Sequence, residues 1–127
     1  MFVRTLLAVA LIAAVVAGQE APKPLTPVEA RKQVGKDATV EMLVKTAKDR
    51  LEKRGELYLD AEDDFRDEKN FAVVISKAGA ASLKAAGVAD PAAHFHGKRI
   101  VAKGTVTEVA GVPRIEVSDA KQITLAK

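Results

Sequence analysis

The chain has no cysteine and no tryptophan, and its 127 residues include one tyrosine and four phenylalanines. Without cysteine it has no disulfide framework and no thiol for lipid attachment at an export cleavage point. The fold must therefore rest on apolar burial alone. So few rings leave little material for stacking against bases. A dominant charge is missing too: 20 Lys and Arg against 17 Asp and Glu give a net charge of +3, too small to argue for a polyanionic partner by itself. The sequence also lacks a Ser-His-acid spacing, a glycine-rich phosphate loop and a paired-carboxylate motif, so it is read as non-enzymatic and without a cofactor.

What is present describes one globular domain, 48% hydrophobic and 29% charged. Arg4 is the sole charge before Glu20, and an apolar run extends from Leu6 to Ala17. A run of about a dozen residues falls short of the ~20 of a spanning helix and fits the core of a secretory signal peptide. Residues 1–18 are therefore expected to be removed after Ala17 or Gly18. The mature protein is then exported, periplasmic or secreted, with no membrane span. Pro22, Pro24 and Pro27 space a tether over residues 19–33, in which Thr26, Pro27 and Glu29 signal a short helix ended by Gly35.

From residue 34 to 127 the pattern is that of strands. Ala38 to Lys45 forms strand 1, and a polar loop, Thr46 to Gly55, leads to a short strand 2 at Glu56 to Asp60. An acidic loop from Ala61 to Asn70 precedes the continuous apolar run Phe71 to Ile75, strand 3. The alanine-rich stretch Ala78 to Ala86, closed by Gly87, is a helix, and Asp90 with Pro91 starts a single turn holding Phe95. Residues 97–107 alternate with period 2, turn at Ala110 to Pro113 and return through Arg114 to Ser118 as strands 4 and 5. Ile123 and Leu125 are expected to cover an edge. Three strands, a helix and two strands, with Gly104 at a mid-strand bend, is the order of the OB-fold: a mainly β, five-stranded Greek-key barrel with its helix between strands 3 and 4.

Tyr58 and Leu59, then Phe71, Val73, Val74 and Ile75, resemble a known family when read with His96, Gly97, Lys98, Ile100, Val101, Gly104, Thr105 and Val106. Gly111, Pro113, Ile115, Glu116, Val117, Gln122 and Ile123 extend the match. Over roughly Val34 to Leu125 the chain is similar to the small OB-fold domains of exported bacterial proteins, some of them found beside secreted nucleases. That resemblance implies the barrel and a nucleic-acid-binding role, and no catalysis in a copy that stands alone.

OB-folds bind oligonucleotides on the outer face of strands 2 and 3, between the loops joining strands 1 to 2 and 4 to 5. In the first of these loops Lys45, Lys48, Arg50, Lys53 and Arg54 stand against Asp49 and Glu52. If Leu57 and Leu59 point inward, period 2 sends Tyr58 out beside them, and the second loop adds Arg114. Cations on phosphates and a ring under a base make a minimal single-strand site. The expected partner is single-stranded nucleic acid or another anionic oligomer, bound by a monomer.

Two alternatives stand beside it: a structural or protein-interaction domain of the cell envelope, and a small-ligand or cation-binding module. Asp60, Glu62 and Asp64 have the alternating oxygens of a calcium loop, but Phe65 and Phe71 occupy its sixth and twelfth positions where glycine and glutamate belong. His94 and His96 are two ligands where zinc needs three or four. No metal site is therefore assigned.

Overall fold

Thr26 starts the first element of the computed structural model, which describes residues 23–127, so the expected signal segment 1–18 lies outside the described residues. Thr26 Oγ1 accepts from the Glu29 amide at 3.2 Å, and the Glu29 carboxylate accepts from the Thr26 amide at 2.9 Å, closing a capping box on α1 (Pro27–Ala30). A 3₁₀ turn, Arg31–Gln33, carries the chain to β1 (Asp37–Leu43). The leading segment belongs to the packed body: Ala30 is fully buried, and Leu25 bridges Val40 of β1 in parallel.

Thr46 to Gly55 is not a loop. Thr46–Arg50 is a strand, β2, and Leu51–Arg54 is a one-turn helix, α2, ended by Gly55 at φ 72°. The polar composition of β2 offers little apolar alternation, and pairing with β3 (Glu56–Asp60) makes it a strand regardless. After β4 (Ala72–Ser76) come α3 (Lys77–Ala85) and α4 (Pro91–Phe95). The chain then enters β5 (Arg99–Val109), β6 (Val112–Val117) and a 3₁₀ turn at Ala120–Gln122, and ends in β7 (Ile123–Leu125). The strands number seven rather than the expected five: the basic segment supplies one, and the edge residues Ile123 and Leu125 supply another.

The strands are ordered β1-β5-β6-β4-β3-β2, with β7 added to β5. All pairings are antiparallel except β4 with β6. The two ends of this path, β1 and β2, are consecutive in sequence, separated by Val44 and Lys45 alone. Partners change there, since the Val44 amide donates to Lys98 O at 2.9 Å and the Lys45 amide to Asp60 O at 3.0 Å. A similar change occurs in β5, which pairs with β1 up to Thr105 and with β6 from Val106. Gly104 lies beside that change, where an added Cβ would stand 3.0 Å from Ile115 Cγ2 and 3.1 Å from Gln122 Nε2.

Val40, Met42, Leu57, Leu59, Val73, Ile75, Ile100, Ala102, Val106, Ile115 and Val117 fill the interior, closed off by Phe71, Leu83 and Phe95. At α3, Ser76 Oγ accepts from the Gly79 amide at 3.1 Å and donates to Val117 O at 3.2 Å. A Cβ on Gly79 would come within 2.1 Å of that carbonyl oxygen, so only glycine lets the helix sit this close to β6.

Candidate functional site

Alternation along β3 puts Leu57 and Leu59 in the core and leaves Glu56, Tyr58 and Asp60 on the opposite face. Cross-strand register brings Lys48 of β2 opposite Tyr58, and Arg50 opposite Glu56. Asp60 pairs with Ala72, and Ala72 in turn with Arg114 of β6. These residues line a cleft of about 670 Å³, walled by Phe65 of the 61–70 loop and by Val109, Ala110 and Val112 of the β5–β6 turn.

The cleft gathers Lys48, Arg50, Arg54, Tyr58 and Arg114 of the seven residues expected from the sequence. Lys45 and Lys53 are not in its lining. Lys45 Nζ pairs with Glu62 at 3.3 Å, and Lys53 lies exposed on α2. Because Lys48 and Arg50 share one side of a strand, they stand on a single face, which a flexible loop would not ensure.

Phe65 is the wall residue that the sequence did not mark. Its ring is 46% exposed, with Lys48 Nζ 5.4 Å and the Arg66 guanidinium 5.7 Å from its centroid. The available signal was an apolar ring flanked by Asp64 and Arg66 in a polar loop. Asn70 holds that loop: its side chain donates to Asp60 Oδ1 at 3.0 Å and to Phe65 O at 3.2 Å, and accepts from the Glu62 amide at 2.9 Å. The Arg31 guanidinium in turn donates to the Asn70 carbonyl.

On the cleft floor Arg114 Nη1 donates to Glu56 Oε2 at 3.0 Å, and the Tyr58 hydroxyl donates to Glu56 Oε1 at 2.6 Å. The Arg114 guanidinium also lies 5.9 Å from the Tyr58 ring centroid. Burial, with help from Glu56, holds the Tyr58 hydroxyl above its usual pKa. Burial likewise raises the Asp60 carboxyl above its ordinary value, opposed by the Asn70 hydrogen bond and by the charges of Lys48 and Arg114.

A second groove, of about 870 Å³ over β1 and β5, has Lys23, Lys103 and Lys121 but no aromatic ring. Among the described residues no three His, Asp or Glu side chains are grouped to hold a metal, and no helix is long and apolar enough to cross a membrane. His96 Nε2 is 3.3 Å from Lys45 O, and the His94 ring packs edge-on against Phe95 at 4.8 Å.

No family model matches the chain, and no curated protein matches it in sequence. Solved structures do. Asparaginyl-tRNA synthetase from Pyrococcus horikoshii superposes with a TM-score of 0.53 at 13% identity, over 83% of this chain and 23% of the synthetase. Aspartyl-tRNA synthetase from Entamoeba histolytica gives 0.52 at 12% identity, over 85% of this chain and 21% of that one. An OBody bound to hen egg-white lysozyme gives 0.55 at 16% identity, over 86% of this chain and 99% of the OBody. The chain thus spans under a quarter of either synthetase and nearly all of the OBody. At these identities the likeness bears on the fold, and it defines the class: a small, mainly β domain of the OB-fold.

Proposed function

We propose that the cleft over β2, β3, β4 and β6 binds single-stranded nucleic acid, as a non-enzymatic module acting as a monomer. The observation carrying this reading is the convergence of Lys48, Arg50, Arg54 and Arg114 with two rings, Tyr58 and Phe65, around one cleft. Cations can follow a phosphate backbone while the rings stack on bases. Similarity to two tRNA synthetases supports the reading at the level of fold. In its finer form the fold is the OB plan with β1 and β2 serving as one strand bent at Val44 and Lys45, which would close a five-stranded barrel. The reading includes export, periplasmic or secreted, directed by residues 1–18. The test is titration of a labelled single strand at several salt concentrations. A log-log fall in affinity with salt supports phosphate contacts, and no binding at low salt overturns them.

A second reading is a protein-interaction domain of the cell envelope. Glu56 and Asp60 stand among the cations of the cleft, which favours a partner of mixed charge, and the similar OBody is bound to a protein, lysozyme. This reading expects salt-insensitive co-purification with an envelope protein and no oligonucleotide binding.

A further inference from the structure

Asp60 is the group in the cleft that phosphate binding leaves unexplained. It is 3% exposed, and among the described residues it has no ion-pair partner. Lys48 and Arg114 act on it only from beyond contact, and a buried carboxylate without a contacting cation is costly and makes a functional-site candidate. Asn70 Nδ2 donates to Oδ1 at 3.0 Å, while among the described residues nothing donates to Oδ2, which is not one of the enclosed polar atoms. Asp60 therefore offers the cleft a fixed carboxylate edge, its Oδ2 beside the remaining lone pair of Oδ1. A phosphate would be repelled by it.

Arg114 supplies the complement. It is 9% exposed, gives Nη1 to Glu56, and its Nε is the one buried side-chain polar atom left without a partner among the described residues. Asp60 and Arg114 stand in one cross-strand row with Ala72 between them, two strand spacings or about 10 Å apart at the backbone. Ala72, with its small side chain, lines the cleft between them. The floor thus presents an acceptor at one end and a guanidinium at the other, with the Tyr58 ring beside them and Phe65 on the wall above.

We propose, on the basis of the single-strand reading above, that Asp60 and Arg114 form a base-reading pair selective for guanine. Guanine has two adjacent donors, N1–H and N2–H₂, on one edge and two acceptors, O6 and N7, on another, where arginine is its commonest partner. The donors meet Asp60 and the acceptors meet Arg114. Thymine and uracil carry a carbonyl on each side of their single N–H, and both carbonyls would face the carboxylate. Adenine and cytosine present an amino group flanked by a ring acceptor, which satisfies Asp60 only in part. Because Asn70 fixes the carboxylate, Asp60 cannot rotate to suit another base.

The experiment compares a short all-dT strand, the same strand with one central dG, and that strand with inosine for the dG, each titrated against the mature protein and its Asp60→Asn variant. Parent protein should bind the dG strand about tenfold more tightly than all-dT, the discrimination typical of one well-formed base contact, and should lose most of that gain on inosine, which lacks N2–H₂. In Asp60→Asn the side-chain carbonyl keeps the Asn70 bond and the amide turns a donor to the cleft. The dG preference should then vanish while all-dT binding holds or strengthens. Equal parent affinity for dG and all-dT strands, or a preference that survives in Asp60→Asn, overturns the base-reading pair and leaves single-strand binding standing. Absence of salt-sensitive binding to any strand overturns the single-strand reading as well.

Discussion

Arg114 reaches across β4 to place its Nη1 3.0 Å from Glu56 Oε2, joining β6 to β3 over the floor of the cleft. Glu56 also accepts from Tyr58, so one carboxylate holds both a cation and a ring in place. Glu56 therefore competes with any anion for Arg114. Glu56→Gln should strengthen oligonucleotide binding by roughly two- to threefold at low salt, the worth of one nearby charge in a wet cleft. A fluorescence anisotropy titration showing weaker binding would mean that ordering of Tyr58 and Arg114 outweighs the charge.

Position in the strand, rather than charge alone, separates the cations. Lys48→Glu and Arg50→Glu should lower affinity and reduce the salt slope by about one for each phosphate that the variant no longer neutralises. Lys45→Glu and Lys53→Glu, away from the lining, should leave the slope nearly unchanged. An equal fall in affinity at all four positions would point to a diffuse basic surface.

Phe65→Ala removes a ring that is nearly half exposed and outside the core. Binding should weaken by about 1–3 kcal/mol, the range for base stacking, with the thermal midpoint nearly unchanged. A large fall in the midpoint would assign the ring to stability.

Asp60 bears on stability through its raised pKa. Between the ordinary carboxylate value and the raised one the native state holds more proton than the unfolded chain, so this contribution is fully present below the ordinary value and is lost as pH rises through the raised one. Exposed Asp64, lowered by Arg66, acts in the opposite direction and below the ordinary carboxylate value. The difference between parent and Asp60→Asn isolates Asp60. The variant should gain stability relative to parent as pH climbs from acid toward neutrality, and thermal melts of both proteins across that range will show it.

Gly79→Ala tests the packing of α3 on β6. Alanine would ordinarily strengthen a helix, but here its Cβ meets Val117 O at 2.1 Å. The net effect should be destabilisation of about 1–3 kcal/mol, read by denaturant unfolding.

Much of the fold is legible in the sequence because the relevant signals are local. Thr26-Pro27-Glu29 and Asp90-Pro91 mark helix starts, Phe71 to Ile75 a buried strand, and residues 97–107 the long alternating one. Thr46 to Arg50 reads as a loop because its strand character comes from β3, whose pairing no window of the sequence contains. For the same reason Ala38 to Lys45 reads as a strand followed, after a loop, by Glu56 to Asp60, although β1 pairs with β5 and β2 is the strand that pairs with β3. Five residues of the cleft, four cations and Tyr58, follow from counting charges and strand parity. Phe65 does not, since only the turn of the 61–70 loop brings it beside Lys48.

Arg31, on the turn after α1, holds the backbone of Asn70, and Asn70 holds both Asp60 and the loop of Phe65. The leading segment is thus a strut for the far wall of the cleft, although it contributes no side chain to the lining. A protein trimmed to begin at Val34 would lose that strut along with buried Ala30 and the Leu25 bridge. The cleft would slacken first at its 61–70 wall, which the trimmed Arg31 braces from outside the lining.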